Sequence, residues 1–190
     1  MTEFAGRPDR AAKGNQFRLD KFTGRGYDKG RPLAIQVLWL ATSRLVVMKW
    51  WCPSKLRIVI LRLFGANIGV GTRMRSDVKV HWPWKLVIGD NCWVGEDAWI
   101  LNLENVTIGS NTCISQSAML CTGSHHRRSP TFEFDNGPIV IGDSVWVAAR
   151  ATVLRGVTIS DGATIGASAL ITRDVAPGGV VLAIPESDRS

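Results

Sequence analysis

The chain has 190 residues, of which 45% are hydrophobic and 21% charged, a composition that excludes a largely disordered protein and suits one domain with an appendage. Its formal net charge of +7 is unevenly distributed: residues 1–62 hold 13 Lys and Arg against 4 Asp and Glu, whereas residues 63–190 hold 10 against 12. The basic character therefore belongs to the N-terminal third, which predicts an anionic surface or partner for that part alone.

Cysteine usage and the start of the chain both indicate a reducing compartment. The four cysteines form no Cys-x-x-Cys pair and follow no regular spacing, so we expect reduced, structural thiols. The first 22 residues lack the apolar stretch of a secretory signal peptide. We therefore expect a cytoplasmic protein, at the inner face of the membrane if its basic third contacts lipid.

Two segments precede the regular part of the chain. Residues 1–31 are charged, rich in Gly and without apolar periodicity, which predicts a basic flexible tail or one that lies over another surface. Residues 32–63 are predicted to be helical. The part from 33 to 51 contains neither Gly nor Pro, so we expect one helix there, ended by Pro53, and a second short helix over 55–63.

The first predicted helix is mostly apolar and has about the length of a membrane span. Its internal cations Arg44 and Lys49 make spanning expensive. Two alternatives remain: a helix packed on its own domain or on a partner subunit, and an interfacial membrane helix.

Residues 64–181 repeat an aliphatic residue every six positions. A period of six fits neither an amphipathic helix nor a hairpin, and it is typical of a parallel β-solenoid built from hexapeptide repeats. In such a fold, three short strands close each triangular coil, and about five coils are expected here. The series is Ile88, Val94, Ile100, Ile108, Ile114, Leu120, Ile141, Val147, Val153, Ile159, Ile165 and Ile171, with a two-residue insertion after Ile100.

The repeat is interrupted at length only between residues 126 and 138, and His125 stands at the base of this excursion. The wall of a solenoid has a packed interior and flat outer faces, so a loop that leaves the coil creates a cleft. With an unperturbed pKa of about 6.5, histidine is suited to accept a proton from a hydroxyl group. The interruption therefore predicts an active site at His125. Residues 182–190 are expected to form a short C-terminal tail.

Several motifs resemble a known family. The stretch IGDSVWVAARATVLRGVTISDGATIGASALITRDV resembles the C-terminal signature of hexapeptide-repeat acyltransferases that act on galactosides, maltose and serine. Upstream, LRLFGANIGVGT, PWKLVIGDNCWVGEDAWILNLENVTIG and CISQSAMLCTGSHHRRSPTF resemble the colanic acid biosynthesis branch of that family. The resemblance covers residues 22–181. It implies a left-handed parallel β-helix, a homotrimer with acetyl-CoA bound between neighbouring subunits, and O-acetylation of a sugar destined for exopolysaccharide.

The same resemblance implies the chemistry of the site. His125 matches the catalytic histidine and would act as general base, with no acyl-enzyme and no metal. His126 stands where the branch has an acidic residue, so a surface role is expected for it. The backbone N–H of Ala149 matches a donor to the oxyanion. For Arg173, a solvated charge at the rim is the alternative to phosphate binding. The residues that match cofactor-binding positions are Trp146, Ala149, Ala167, Thr172 and Arg173.

The candidate residues for the acceptor sugar are Asn102, Glu96, Asp97 and Trp99, which lie around the two-residue insertion. Galactoside-type relatives use an Asn where this chain has Gly95, so the role is transferred to Asn102. Exposed turn positions are the alternative for the polar candidates, and a contact between subunits is the alternative for Trp99.

The chain departs from the family near its end. It reads VVLAIPESDRS where family members continue VVAGNPA, so Ala183 and Ile184 replace a Gly-Asn turn near the nucleotide of CoA. This change predicts a weaker grip on the adenine end of the cofactor.

Two other functions remain open: a non-catalytic scaffold subunit of a polysaccharide assembly complex, and an acetyltransferase for a small soluble acceptor. A γ-type carbonic anhydrase would need three separated zinc-binding histidines, which adjacent His125 and His126 do not provide. The partners that we expect are two further copies of the chain, a sugar or lipid-linked sugar, and a membrane surface contacted through residues 1–62. No nucleic acid is expected.

Overall fold

The computed structural model describes residues 17–183. These residues form a parallel β-solenoid of 16 short strands, preceded by two helices. Within this part of the chain, no helix is long and apolar enough to cross a membrane.

The helices are shorter than the apolar run predicts. Helix α1 spans Leu33–Thr42 and continues as a π-helical turn over Ser43–Val47, and helix α2 spans Ser54–Leu63 with Pro53 at its N-cap. The prediction of one helix from 33 to 51 is therefore wrong at its C-terminal end. The helical run ends at Val47 because the carbonyl groups of Val47, Lys49 and Cys52 accept hydrogen bonds from a side chain of α2 and not from helix N–H groups.

That side chain is Arg57, which is 2% exposed. Its Nε donates to the carbonyl of Val47 at 2.6 Å, and its Nη2 donates to the carbonyls of Cys52 at 2.8 Å and Lys49 at 3.1 Å. Its Nη1 donates to the carbonyl of Met74 in the first coil at 2.7 Å. Burial lowers the pKa of the guanidinium, and the group stays protonated because arginine side chains are not deprotonated in proteins. Arg57 thus fastens the helical segment to the solenoid.

Three parallel sheets, A, B and C, close the solenoid into a triangular prism. Three consecutive strands make one coil, so five coils are complete and β16 belongs to an incomplete sixth, which confirms the predicted β-solenoid. Sheet A contains β1 (Asn67–Ile68), β4 (Leu86–Ile88), β7 (Val106–Ile108), β10 (Ile139–Ile141) and β13 (Thr158–Ile159). Sheet B contains β2 (Arg73–Met74), β5 (Trp93–Val94), β8 (Cys113–Ile114), β11 (Trp146–Val147), β14 (Thr164–Ile165) and β16 (Val180–Val181). Sheet C contains β3 (Lys79–Val80), β6 (Trp99–Leu101), β9 (Met119–Cys121), β12 (Thr152–Leu154) and β15 (Leu170–Ile171).

The six-residue repeat produces this core directly. Strands pair in register from coil to coil, so equivalent aliphatic residues stack: Ile88 pairs with Ile108, Ile108 with Ile141, and Ile141 with Ile159. Each of these four side chains is at most 1% exposed. Burying one such side chain contributes about 1.5–3 kcal/mol, so the stacked columns supply much of the stability.

Two edges of the prism carry the functional candidates. The BC edge consists of the turns between sheets B and C, at residues 75–78, 95–98, 115–118, 148–151 and 166–169. The CA edge consists of the connections from sheet C to sheet A, at 81–85, 102–105, 122–138, 155–157 and 172–179. The long connection, 122–138, contains the predicted excursion and lies in the third coil.

Residues 17–31 lie against the long connection and the neighbouring turn of the CA edge. This stretch thus follows the second of the two alternatives, a segment that lies over another surface. The rest of the predicted tail, residues 1–16, and residues 184–190 of the predicted C-terminal tail lie outside the described residues.

Candidate active site

His125 is oriented by the loop in which it lies. It forms an isolated antiparallel bridge with Phe134, and its Nδ1 lies 2.8 Å from the carbonyl oxygen of Phe132. A carbonyl oxygen only accepts hydrogen bonds, so we assign the proton of the neutral ring to Nδ1. The lone pair is then on Nε2, which is the tautomer that a general base requires.

Aromatic side chains pack around the His125 ring. Phe132 stacks on it with centroids 4.4 Å apart and an interplanar angle of 6°, and Phe134 stacks at 5.1 Å. The ring of Phe22 meets it edge-on at 5.7 Å. These contacts restrict rotation of the imidazole, and sequence reasoning missed all three of them. The available signal was the presence of Phe132 and Phe134 only a few residues after His125 in the excursion.

The loop is held from outside by residues 17–27, here named the N-terminal strap. The Glu133 carboxylate accepts the N–H groups of Thr23 and Arg25, each at 3.0 Å, and the Thr23 hydroxyl at 2.9 Å. Desolvation raises the pKa of Glu133, but these hydrogen bonds outweigh it and bring the pKa below its ordinary value. At the end of the strap, Phe17 stacks on Phe132 at 4.2 Å.

His126 has different surroundings from its neighbour. Its side chain is 58% exposed, and its Nδ1 lies 3.7 Å from the Asp135 carboxylate, which also pairs with Arg155. This environment fits the surface role that we expect for His126.

The BC edge gathers a second group of candidates. Glu96 and Asp97 occupy its turn in the second coil, and Ala149 and Ala167 occupy the turns of the fourth and fifth coils. Those two turns are joined by a hydrogen bond from the Ser168 N–H to the Ala149 carbonyl at 2.9 Å. Among the described residues, the N–H of Ala149 donates to no acceptor. It is therefore available to a ligand, as an oxyanion donor has to be.

Asp97 is held by its neighbours along the edge. Lys79 Nζ lies 2.6 Å from its Oδ1, and the Ser117 hydroxyl donates to Oδ2 at 3.3 Å. The hydrogen bond from Lys79 lowers the pKa of Asp97. The same ammonium group lies 5.8 Å from the ring centroid of Trp99, which is 40% exposed on sheet C. Asp97 and Trp99 thus flank one cation at the start of sheet C.

Glu96 faces the other way, into a groove of about 640 Å³ on sheet B. An exposed aromatic ring, two cations and an amide share this groove, a combination suited to a polar ligand with an apolar face. From the sequence, Trp93 is one of several tryptophans that could stack on a sugar, whereas Arg73, Arg75 and Gln116 receive no acceptor role. The groove is lined by Glu96 together with Arg73, Arg75, Trp93 and Gln116.

The structure contradicts a sugar-binding role for Asn102. Its side chain is fully buried, its Oδ1 accepts the N–H groups of His81 at 3.1 Å and Trp82 at 3.0 Å, and its Nδ2 donates to the Trp82 carbonyl at 2.6 Å. The amide therefore satisfies backbone groups at the CA edge and is turned away from solvent. Gly95 offers no substitute, because a Cβ there would overlap the backbone nitrogen of Gln116.

The remaining cofactor candidates divide between the two edges. Trp146 is 53% exposed on sheet B and donates from Nε1 to the Ser115 hydroxyl at 3.0 Å. The small side chains of Ala149 and Ala167 leave room along the BC edge for a narrow chain such as the pantetheine arm of CoA. Thr172 and Arg173 lie on the CA edge and line a groove of about 710 Å³ with residues 179–183. The residues thus fit acetyl-CoA, but sheet C separates the two groups within one chain.

No three side chains of His, Cys, Asp or Glu within residues 17–183 are placed together to hold a metal ion.

Comparison with other proteins places this site in a family. A family described as bacterial transferase hexapeptide (six repeats) matches residues 138–173. Over 160 residues, 83% of this chain and 86% of the relative, the sequence is 39% identical to the Escherichia coli (strain K12) protein named "Putative colanic acid biosynthesis acetyltransferase WcaF". Over 138 residues, 70% and 68% of the two chains, it is 31% identical to galactoside O-acetyltransferase of the same organism.

Solved structures share the architecture. The hexapeptide-repeat acetyltransferase VCA0836 of Vibrio cholerae, complexed with acetyl-CoA, has a TM-score of 0.73 at 24% identity, over 87% of this chain and 92% of that one. A galactoside acetyltransferase in complex with coenzyme A has a TM-score of 0.69 at 25% identity, over 80% and 76%. The fold is the left-handed parallel β-helix expected from the motifs. With 39% identity across most of both chains, the protein belongs to the hexapeptide-repeat acetyltransferases, close to WcaF.

Proposed function

We propose that the protein transfers an acetyl group from acetyl-CoA to a sugar hydroxyl in the biosynthesis of a colanic-acid-like exopolysaccharide, with His125 as general base. The observation that carries this proposal is the contact between His125 Nδ1 and the carbonyl of Phe132, which leaves Nε2 able to accept a proton. The identity to WcaF and the acetyl-CoA complex of a structural relative support the reaction class.

The chain's own residues supply two steps. Acetyl-CoA, when bound, supplies the acetyl group as an activated thioester. Nε2 of His125 accepts the proton of the sugar hydroxyl as its oxygen attacks, and returns that proton to the departing sulfur. The N–H of Ala149 donates to the carbonyl oxygen while negative charge develops there. A positioned base of this kind contributes about 10²–10⁴-fold to the rate.

We propose that the active protein is a homotrimer whose sites lie between subunits. His125 lies on the CA edge and Ala149 on the BC edge, so a single chain does not bring the base and the oxyanion donor to one thioester. In a ring, the CA edge of one subunit faces the BC edge of the next, and both groups reach the same cleft. The arm of CoA then runs past Trp146, Ala149 and Ala167, and Thr172 and Arg173 lie near the nucleotide phosphates.

For the acceptor sugar, we propose contacts with Glu96, Asp97 and Trp99 at the BC edge. The groove beside Glu96 adds Trp93 and Gln116 to this set. The acceptor is a sugar or a lipid-linked sugar, and the enzyme acts in the cytoplasm, at the membrane face through residues 1–62. The alternatives are a small soluble acceptor and a scaffold subunit that binds no acetyl-CoA.

The test is release of CoA from acetyl-CoA with a panel of soluble and lipid-linked sugars. The native chain is compared with His125→Ala and with His126→Ala as the matched control. We expect acceptor-dependent release that falls by about 10²–10⁴-fold in His125→Ala and stays near native in His126→Ala. Loss of CoA release in His126→Ala alone would identify His126 as the base. Failure of the native chain to bind acetyl-CoA would favour the scaffold.

A further inference from the structure

Helix α1 leaves most of its apolar residues exposed, while two of the side chains that it and its π-helical turn bury are polar. Together with its π-helical turn, it buries Gln36, Trp39, Ser43 and Val47 against the domain. A helix that is apolar on every side is ordinarily covered on every side. The outward residues of this segment are Leu33, Val37, Leu38 and Leu45, with exposed fractions of 70%, 57%, 55% and 67%.

The connection to α2 and the outer side of α2 continue this pattern. Trp50 is 83% exposed and Trp51 is 52% exposed. Leu56, Val59 and Leu63 of α2 are exposed by 43%, 47% and 80%, while Ile58 and Leu61 of the same helix are buried. Exposed apolar groups in this number mark a surface that contacts a protein or a membrane.

The charges that this segment itself carries have a single sign, and within the described part of the chain the one carboxylate that shares a groove with Arg44 and Lys49 is Asp77 of the first coil. From residue 29 to residue 76 the chain has nine Lys and Arg and no Asp or Glu. Arg44, Lys49 and Lys55 are exposed beside the apolar residues. This combination is complementary to anionic headgroups above acyl chains. A two-fold contact of the surface with its own copy would instead place cations against cations.

We infer that the outer side of α1, its π-helical turn and α2 binds the surface of an anionic lipid bilayer. The leucines enter the boundary of the acyl chains, Trp50 lies at the headgroup level where amphipathic rings are favoured, and Lys49 and Lys55 bind lipid phosphates. The contact is interfacial, since no helix among residues 17–183 is long enough to span the bilayer. The membrane contact itself is independent of the proposed function. Its purpose, which is to bring the enzyme to a lipid-linked acceptor, rests on that function.

The experiment is sedimentation of the purified full chain with vesicles, without acetyl-CoA or acceptor. Vesicles of phosphatidylcholine alone are compared with vesicles that also contain phosphatidylglycerol. We expect binding to the second kind only, and its loss in 1 M salt, where the Debye length is about 3 Å. Neutralising both cations in Lys49→Gln/Lys55→Gln should weaken binding by about 25-fold, which is about fivefold for each cation.

The apolar part is tested by Leu45→Gln/Trp50→Gln, which should reduce binding to anionic vesicles strongly. Val87→Gln is the matched control, because Val87 is a 40% exposed apolar residue on sheet A, and it should bind as the native chain does. All three variants should release CoA with a soluble acceptor at the native rate. Native vesicle binding without any CoA release would contradict the proposed function and leave the membrane surface standing.

Three results would overturn the inference. The first is a native chain that does not sediment with anionic vesicles at low salt. The second is a Leu45→Gln/Trp50→Gln variant that keeps its vesicle binding. The third is a native chain that forms an oligomer in analytical ultracentrifugation while this variant does not. The third result would identify this surface as a contact between copies of the chain.

Discussion

The carbonyl oxygen of Phe132 lies 2.8 Å from Nδ1 of His125, and this contact determines which ring nitrogen is free. A substitution that keeps the hydrogen-bond donor to Phe132 but lacks Nε2 separates the orientation of residue 125 from its proposed role as base. Asn has its amide nitrogen near the position of Nδ1, so His125→Asn should keep the bond to Phe132 and a near-native Tm. Its kcat/KM should fall by about 10²–10⁴-fold, because the proton acceptor is gone. Steady-state kinetics and thermal unfolding check this, and near-native turnover would rule out His125 as the base.

The strap should matter for catalysis because Glu133 fixes it to the loop that carries His125. We expect Glu133→Gln to lower kcat several-fold, since the charge that receives the N–H groups of Thr23 and Arg25 is lost. Asp20→Asn is the control, because within residues 17–183 Asp20 pairs only with neighbouring Arg18 at the exposed side of the strap. The hydrogen bonds of the Glu133 carboxylate with Thr23 and Arg25 are here named the clasp. Equal kcat values for the two variants would show that the clasp does not act on His125.

The same clasp should depend on pH in a defined direction. The pKa of Glu133 in the folded protein is below its ordinary value of about 4.3, so the hydrogen bonds stabilise the fold above that value and are lost as the pH falls through the lowered pKa. The amide resonances of Thr23 and Arg25 should report this loss in an NMR titration. Glu133→Gln should remove the titration. A midpoint at or above the ordinary value in the native chain would contradict the assignment.

Arg57 should be the most sensitive cation of the helical segment. Arg57→Met removes the donor from four carbonyl groups, and we expect it to lower the free energy of unfolding by about 3–5 kcal/mol, since each buried acceptor left without a partner costs about 1–3 kcal/mol and some will find water. Lys55→Met, at an exposed position of the same helix, should change it by less than about 0.5 kcal/mol. Denaturant unfolding checks both values, and similar losses in the two variants would contradict the role of Arg57.

Substitutions of two polar residues near the insertion should affect different properties, one the stability and the other the binding of the acceptor. Asn102→Ala should lower the free energy of unfolding by about 2–3 kcal/mol, because the buried N–H and carbonyl groups of Trp82 both lose their partner, while the N–H of His81 keeps the carbonyl of Ile100. Glu96→Gln should leave unfolding unchanged and raise KM for the acceptor, because Glu96 is exposed in the groove. An acceptor KM that changes with Asn102 but not with Glu96 would contradict this division.

The sequence was sufficient for the solenoid because one short period is repeated along most of the chain and each repeat satisfies its own neighbours. The prediction that Asn102 binds the sugar was wrong because it relied on the polarity of the side chain alone. Alternate residues of a strand share a face, and Asn102 stands two positions after buried Ile100, so the alternation placed it inside the coil. The end of the π-helical turn at Val47 was beyond local reasoning, because the carbonyl of Val47 is bound by the Arg57 guanidinium, ten residues further along the chain.

The order in which the chain is made bears on the clasp between Thr23 and Glu133, whose partners are 110 residues apart. The strap leaves the ribosome long before the loop that it binds, and closing so long a segment has an entropic cost that only stacked coils offset. Three coils must therefore be in place before His125 acquires its surroundings. A nascent chain that stops within the second coil can hold its helices and part of its core, but it lacks the proposed base His125 and should transfer no acetyl group.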